Sequence, residues 1–319
     1  GGQDITAGAN GLAGVGRFIP NHFDVVLTHG CVAGTFTYSG RPFSATVAAY
    51  NGLAIPGITT NFAGALGFSK DVTLSNAGAS NPGTFTSGGT FQAADFAGGT
   101  RTQDVAYTFS VKETVPLAGA DGLTLRASST EQALPSVVVT SSGHIEQSTE
   151  VRSGRIAIQN AYGSELLDLF MPMRVQYYAA GNTGWVTNTL DECTAVTMSA
   201  FSNPQGNLAV AETCIQDIGS PGRSGSAPTA CAAVGPIAEQ FREGGVAGFS
   251  GDFNLYLRAP GTGNDGSVDV SLDLSPAGLN MPWLRYDWDG VAGDNEPQGR
   301  ATFGIFKGNR RHIYLRERY

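Results

Sequence analysis

Two short stretches of this chain hold residue types that can do chemistry. Gly222-Arg223-Ser224-Gly225-Ser226 sets a serine among glycines, where backbone amides can turn toward a developing oxyanion. With His29, in Val26-Leu27-Thr28-His29-Gly30-Cys31, and an acid such as Asp95 or Asp104, Ser224 would complete a His–Asp–Ser order for acyl transfer. Three features weigh against it. The acid is chosen from many, the histidine segment lacks Ala-His-Cys spacing, and Ser224 lies where Ser, Gly and Pro are dense enough to produce such a pentapeptide cheaply. Nor is there a GxSxG hydrolase elbow. Ser224 reads as part of a surface loop, and no catalytic residue is assigned.

The second stretch is acidic. Asp287-Trp288-Asp289-Gly290, followed by Asp294-Asn295-Glu296, offers several hard oxygen donors within a few residues. Calcium takes six to eight oxygens, and a glycine-punctuated loop can wrap them around it. Asp287, Asp289, Asp294 and Glu296 are therefore candidate calcium ligands. The stretch is no EF-hand, since no glutamate stands at the twelfth loop position and no helical pattern flanks it. Gly263-Asn264-Asp265-Gly266 is a further acidic, glycine-rich stretch that only the fold could bring near. The competing reading is that Asp and Asn occur here because they tolerate turn geometry. Trp185, Tyr177 and Tyr178 could stack on sugars if exposed, though aromatics are more often core. His22, His144 and His312 are isolated in the sequence and read as structural or exposed side chains rather than ligands.

Four cysteines complete the chemical inventory: Cys31, Cys193, Cys214 and Cys231. None has CxxC spacing and no histidines cluster beside them, which argues against zinc. Two disulfides in an oxidising compartment fit better. The favoured pairs are Cys214–Cys231, which closes a Gly/Ser/Pro-rich excursion and contributes about 3 kcal/mol, and Cys31–Cys193, which would tie the two halves of the chain together.

The scaffold for these residues is strand-rich. The 319-residue chain is 41% apolar but only 14% charged, with 44 glycines and 15 prolines and no collagen-like period. Short strands joined by tight turns produce such a composition. A net charge of −8 and a pI near 5.0 argue against a nucleic-acid partner. No run of 18 apolar residues exists, so no membrane insertion is expected. The opening Gly1-Gly2-Gln3-Asp4 has no signal-peptide pattern, so the chain reads as a mature or excised fragment.

Strict alternation marks half-buried strands at Val268-Asp269-Val270-Ser271-Leu272-Asp273-Leu274, Phe253–Leu257, Leu123–Leu125 and Arg155–Ile158. The β-branched run Val137-Val138-Val139-Thr140 suits a strand covered on both faces. Asn81-Pro82-Gly83, Asp121-Gly122, Ser142-Gly143 and Asn264-Asp265-Gly266 supply the turns. Pro236–Glu243 could form two helical turns and Gly163–Leu169 one more. The pattern predicts an all-β chain, built as one or two immunoglobulin-like β-sandwich subdomains with one or two short helices. The expected division is 1–135 and 136–319, with one large domain as the competitor.

The most specific signal comes last. Leu257-Arg258-Ala259-Pro260-Gly261 leads to Pro282-Trp283-Leu284-Arg285-Tyr286-Asp287-Trp288, then Ala301–Phe306, Gly308-Asn309-Arg310 and Ile313–Tyr319. Gly16–Phe23, Thr35–Phe43, Asn160–Leu166 and Val186–Thr194 agree in the same order. The chain thereby resembles the large C-terminal domain of the MshQ-type proteins of the mannose-sensitive haemagglutinin (MSHA) type IV pilus, departing from it between Phe201 and Glu243. The resemblance implies a non-enzymatic, exported module at the bacterial cell surface, in adhesion or as a minor, tip or assembly component. Its partners would be pilus subunits, other surface proteins, or host or surface glycans. A calcium-stabilised carbohydrate-binding domain is the alternative, and a secreted serine hydrolase using Ser224 a remoter one. Within the motif, Trp283, Tyr286 and Trp288 read as core anchors, and Arg311–Arg316 as a last strand.

Overall fold

The computed structural model describes residues 19–32, 35–131, 137–179, 184–194, 198–214, 251–275, 277–278, 280–291 and 293–304. The fold is nearly all β: among the described residues 48% are in strands and no helix reaches seven residues. Helical structure among the described residues consists of three-residue 3₁₀ turns such as Gly64–Leu66 and Pro282–Leu284. The helix expected at 236–243 lies outside the described residues. The turn expected at 163–169 is a single turn, closed by the Leu167 N–H on the Ser164 carbonyl at 3.3 Å, and Leu169 already begins a strand. The chain divides into two compact units, Gly1–Gly154 with Tyr177–Val186, and Arg155–Gln176 with Thr187–Tyr319.

In the first unit the strands are β1 (His22–Thr28), β2 (Phe36–Tyr38), β3 (Phe43–Tyr50), β4 (Val72–Asn76), β5 (Gly83–Ser87), β6 (Thr90–Phe91), β7 (Thr100–Phe109), β8 (Leu123–Glu131), β9 (Val137–Thr140) and β10 (Ser148–Arg152). One sheet has the order β1-β3-β7-β5; the other runs β2-β10-β8-β4-β6, with β9 on β8. Period-2 alternation drives this arrangement. Phe43, Ala45, Val47 and Ala49 of β3 are buried, and Leu123, Leu125 and Ala127 of β8 join the same core. Phe62 sits at its centre with edge-to-face contacts to Phe23 and Phe96, ring centroids 5.7 and 4.9 Å away.

Two expectations change here. The run Val137–Thr140 forms a strand, but one that pairs with β8 alone, so Val139 is buried while Val137 and Val138 are exposed. Strands β9 and β10, which a boundary at 135 would assign to the second half, pair with β8 and β2 of the first unit.

The remaining strands are β11 (Gly154–Ile158), β12 (Ala161–Gly163), β13 (Leu169–Tyr178), β14 (Trp185–Thr187), β15 (Met198–Gly206), β16 (Asp252–Leu257), β17 (Gly266–Leu272) and β18 (Gln298–Phe303); all fall wholly or mostly in the second unit except β14, which lies mainly in the first unit's Tyr177–Val186 segment. They form a β11-β13-β14 sheet with β16 on β13, and a β12-β18-β17-β15 sheet. Val268, Val270, Leu272 and Leu274 are fully or almost fully buried, as their alternation predicts. Strand β17 lies between β15 and β18, and its polar side is covered as well: Ser267 and Asp269 are buried. The two sheets meet closely at Gly299, where a Cβ would stand 2.6 Å from both Ile158 Cγ2 and Met171 Cε. A side chain at 299 would have to displace the Ile158 branch and the Met171 methyl.

Candidate functional site

A cleft of about 710 Å³ opens on the second unit, lined by Asn160, Tyr162, Asp269, Trp288, Asp289, Asn295, Glu296, Gln298, Gly299 and Arg300. Strand β18 forms its floor with Gln298 to Arg300, and β12 contributes Tyr162 and β17 Asp269. Tyr162 and Trp288 are 68% and 39% exposed, so two aromatic surfaces face the solvent among amides and carboxylates. Trp288 is held in place. Tyr286 packs edge-on against it at 5.0 Å, and the Arg155 guanidinium lies over both rings, 4.8 Å from that of Trp288 and 4.6 Å from that of Tyr286. Trp288 is therefore a rim residue and not the core anchor its sequence context suggested. Leu284 is the fully buried side chain of that motif.

Local turn chemistry shapes the acidic loop. A bridge between Tyr286 and Asn295 closes it, the Asn295 N–H donating to the Tyr286 carbonyl at 2.8 Å. Asp287 accepts the Gly290 N–H at 2.7 Å and Asp289 the Val291 N–H at 3.0 Å, as Asx residues do in turns. Glu296 accepts the Leu274 N–H at 2.7 Å and pairs with Arg285. Of the four acids named from the sequence, Asp289 and Glu296 line the cleft. None of the four belongs to a described group of three or more ligand-type side chains close enough to share one ion. Asp287 and Asp289 are thus engaged by the loop's own backbone, and Glu296 by the Leu274 N–H and Arg285.

Asp269 was not singled out by the sequence, yet it organises the floor. Its carboxylate receives both Nε and a terminal nitrogen of Arg300, at 2.7 and 3.0 Å, and the Asn203 amide at 3.0 Å. The Arg300 hydrogen bonds hold its pKa below the ordinary value, against the opposing effect of burial. In sequence Asp269 looked like one more polar residue on the wet side of a strand.

The remaining predicted residues are scattered. Tyr178 packs edge-on against Trp185 at 5.6 Å and Tyr177 lies under the Arg152 guanidinium at 4.5 Å, so these aromatics bind their neighbours. His29 pairs its Nδ1 with the Thr149 hydroxyl at 2.9 Å. Ser224, Cys231, His312 and the expected last strand lie outside the described residues. Cys31 and Cys193 form a disulfide, and Cys214 is also disulfide-bonded. His22 and His144, read as isolated, stack on each other with ring centroids 3.5 Å apart.

Comparison with known families places both units. A family model described as "DUF6701, third domain" matches residues 2–150, and "DUF6701, fourth domain" matches residues 152–318. The chain belongs to the DUF6701 family. The division between those two DUF6701 domains falls beside Gly154, where the structure also divides. No curated protein matches the chain. Among the described residues no helix is long and apolar enough to cross a membrane, and the disulfides fit an oxidising compartment.

Proposed function

We propose that this pair of DUF6701 domains is a non-enzymatic surface module of a type IV, MSHA-like pilus system, and that it acts in adhesion by holding a glycan in the cleft of its second unit. The cleft carries the reading. Sugars are recognised by an aromatic face for the apolar side of the ring and by planar amides and carboxylates for its hydroxyls. Tyr162 and Trp288 supply the faces, and Asn160, Asn295, Gln298 and Asp289 the polar groups. The MshQ-type motif string supports the pilus setting, and the disulfides fit export. A glycan array probed with the full chain, followed by titration of the best hit, tests the reading. Binding that falls at least tenfold in Trp288→Ala and Tyr162→Ala supports it. An array with no hit, or binding indifferent to both substitutions, sinks the glycan reading. A gene neighbourhood made of catabolic enzymes rather than pilus genes would sink the pilus setting.

The calcium-stabilised carbohydrate-binding alternative draws on Asp289 and Glu296 in the same cleft. Elemental analysis and melting with and without EGTA separate it from the first reading, since calcium stabilisation requires a melting temperature that falls on chelation.

A further inference from the structure

His22 and Asp24 stand two residues apart on β1 and so project from the same face of the strand. The segment after β9 comes back to that strand. The Val25 N–H donates to the Ile145 carbonyl at 2.8 Å, and the Gln147 N–H to the Val25 carbonyl at 3.1 Å. Val25 and Glu146 thus form a parallel bridge. Glu146 anchors the segment through Arg126, at 2.7 and 2.9 Å, and the Ser141 hydroxyl, at 2.7 Å. A turn from Ser141 to His144, with Gly143 at φ 83°, then lays the His144 ring on that of His22. Tyr50, the cross-strand partner of His22, stacks on its ring at 5.4 Å.

One ligand atom each of His22, Asp24 and His144 lies within 4.8 Å of the other two. His22 Nδ1 is 3.1 Å from Asn21 Oδ1. An amide oxygen only accepts, so that bond puts the proton on Nδ1 and leaves the Nε2 lone pair toward Asp24 Oδ1, 3.9 Å away. That gap is too long for a hydrogen bond. It is close to the roughly 3.3 Å that separates neighbouring ligands around a tetrahedral ion with bonds near 2.0–2.1 Å. The stacked rings hold their lone pairs in parallel planes, so to share an ion the exposed His144 ring must swing out of the stack. Asp24 is oriented by the Ile145 N–H at 3.2 Å. We propose that His22, Asp24 and His144 form a three-ligand site for a zinc-class divalent transition-metal ion. Two imidazoles and one carboxylate suit zinc and its first-row neighbours, whereas calcium and magnesium require oxygen shells. A bound ion would clamp the 144–147 segment along β1. With His144 exposed and only three protein ligands, the remaining position faces solvent.

The test titrates the untagged full chain, stripped of metal, with Zn2+ and with Co2+. The expected result is one ion per chain, a zinc-dependent rise in melting temperature that Ca2+ does not reproduce, and a loss of affinity of at least tenfold in both His144→Ala and Asp24→Asn. The exposed His144 is the variant least expected to disturb folding. X-ray absorption at the zinc edge of the unaltered protein must show two imidazoles around the metal, a result that needs no variant. No stoichiometric binding, one imidazole or none, or an affinity unchanged from the native chain in either variant would overturn the site. His29→Ala should retain full binding.

Discussion

The acidic cleft of the second unit and the histidine cluster of the first are built in opposite ways. The acidic loop's carboxylates come from one contiguous stretch, yet no three of them gather at one point: Asp287 and Asp289 cap turns and Glu296 is taken by Arg285. The histidine cluster draws on segments more than a hundred residues apart, yet its ligand atoms do converge. The comparison teaches that density of ligand types along a chain measures turn content as much as site content. A site requires ligand atoms gathered within reach of one point, and in a β-protein strand pairing does the gathering.

The largest test of this contrast removes the floor of the cleft. Gly299→Val would force a branched side chain against Ile158 and Met171. It should lower stability by about 2–3 kcal/mol in urea melts, while zinc affinity at the first unit stays within twofold. A smaller loss of zinc affinity than of stability is what separate construction of the two sites requires.

Asp269→Asn should cost about 1–3 kcal/mol, because it breaks a bidentate pair to a nearly buried carboxylate. The sign of its pH dependence follows from the lowered pKa. Above the unfolded value of about 3.9 the carboxylate is charged in both states, and its bond to Arg300 stabilises the fold. As pH falls below that value toward the lower folded pKa, this contribution disappears. The stability difference between the native chain and Asp269→Asn should therefore be full at pH 6 and shrink steadily below pH 4. A difference that grows on acidification would show that Asp269 is protonated in the fold.

Glu146→Gln addresses the other region. Arg126 and Ser141 hold the Glu146 carboxyl below its ordinary pKa, so the native pair is ionised at neutral pH. Neutralising it should cost about 1 kcal/mol. It should also lower zinc affinity roughly tenfold without touching a ligand, as loss of a supporting residue does. The smallest stability effect belongs to Trp288→Ala. That ring is 39% exposed, so melting should change by no more than about 1 kcal/mol, while the proposed glycan binding should fall at least tenfold. A large stability loss would return Trp288 to the role of core anchor.

Alternation made much of the scaffold legible. Val268 to Leu274, Leu123 to Leu125 and Arg155 to Ile158 read as strands because apolar side chains at every second position can be buried only on one face of a pleated ribbon. The parity of the cysteines pointed to disulfides, and Cys31–Cys193 is one of them. The run Val137–Thr140 was read as a strand correctly and as a doubly covered one wrongly. β-branched side chains favour extended backbone wherever they stand, whereas the number of covered faces depends on what packs above and below the sheet. Asp269 escaped notice for the same reason: nothing in Val-Asp-Val says that the polar face of β17 will be covered and that Arg300 will cross to meet it.

Composition and period thus determined by themselves that the chain is all-β and built from short strands, because those properties follow from each residue's own backbone preference and partition between water and interior. The tertiary structure alone decided the sites. It turned a conspicuous acidic stretch into a self-satisfied loop with one exposed tryptophan, and it set His144 on His22 through a strand bridge whose hydrogen bonds are made by backbone groups. Backbone groups are common to every residue, so the sequence carries no mark of which segments they will join.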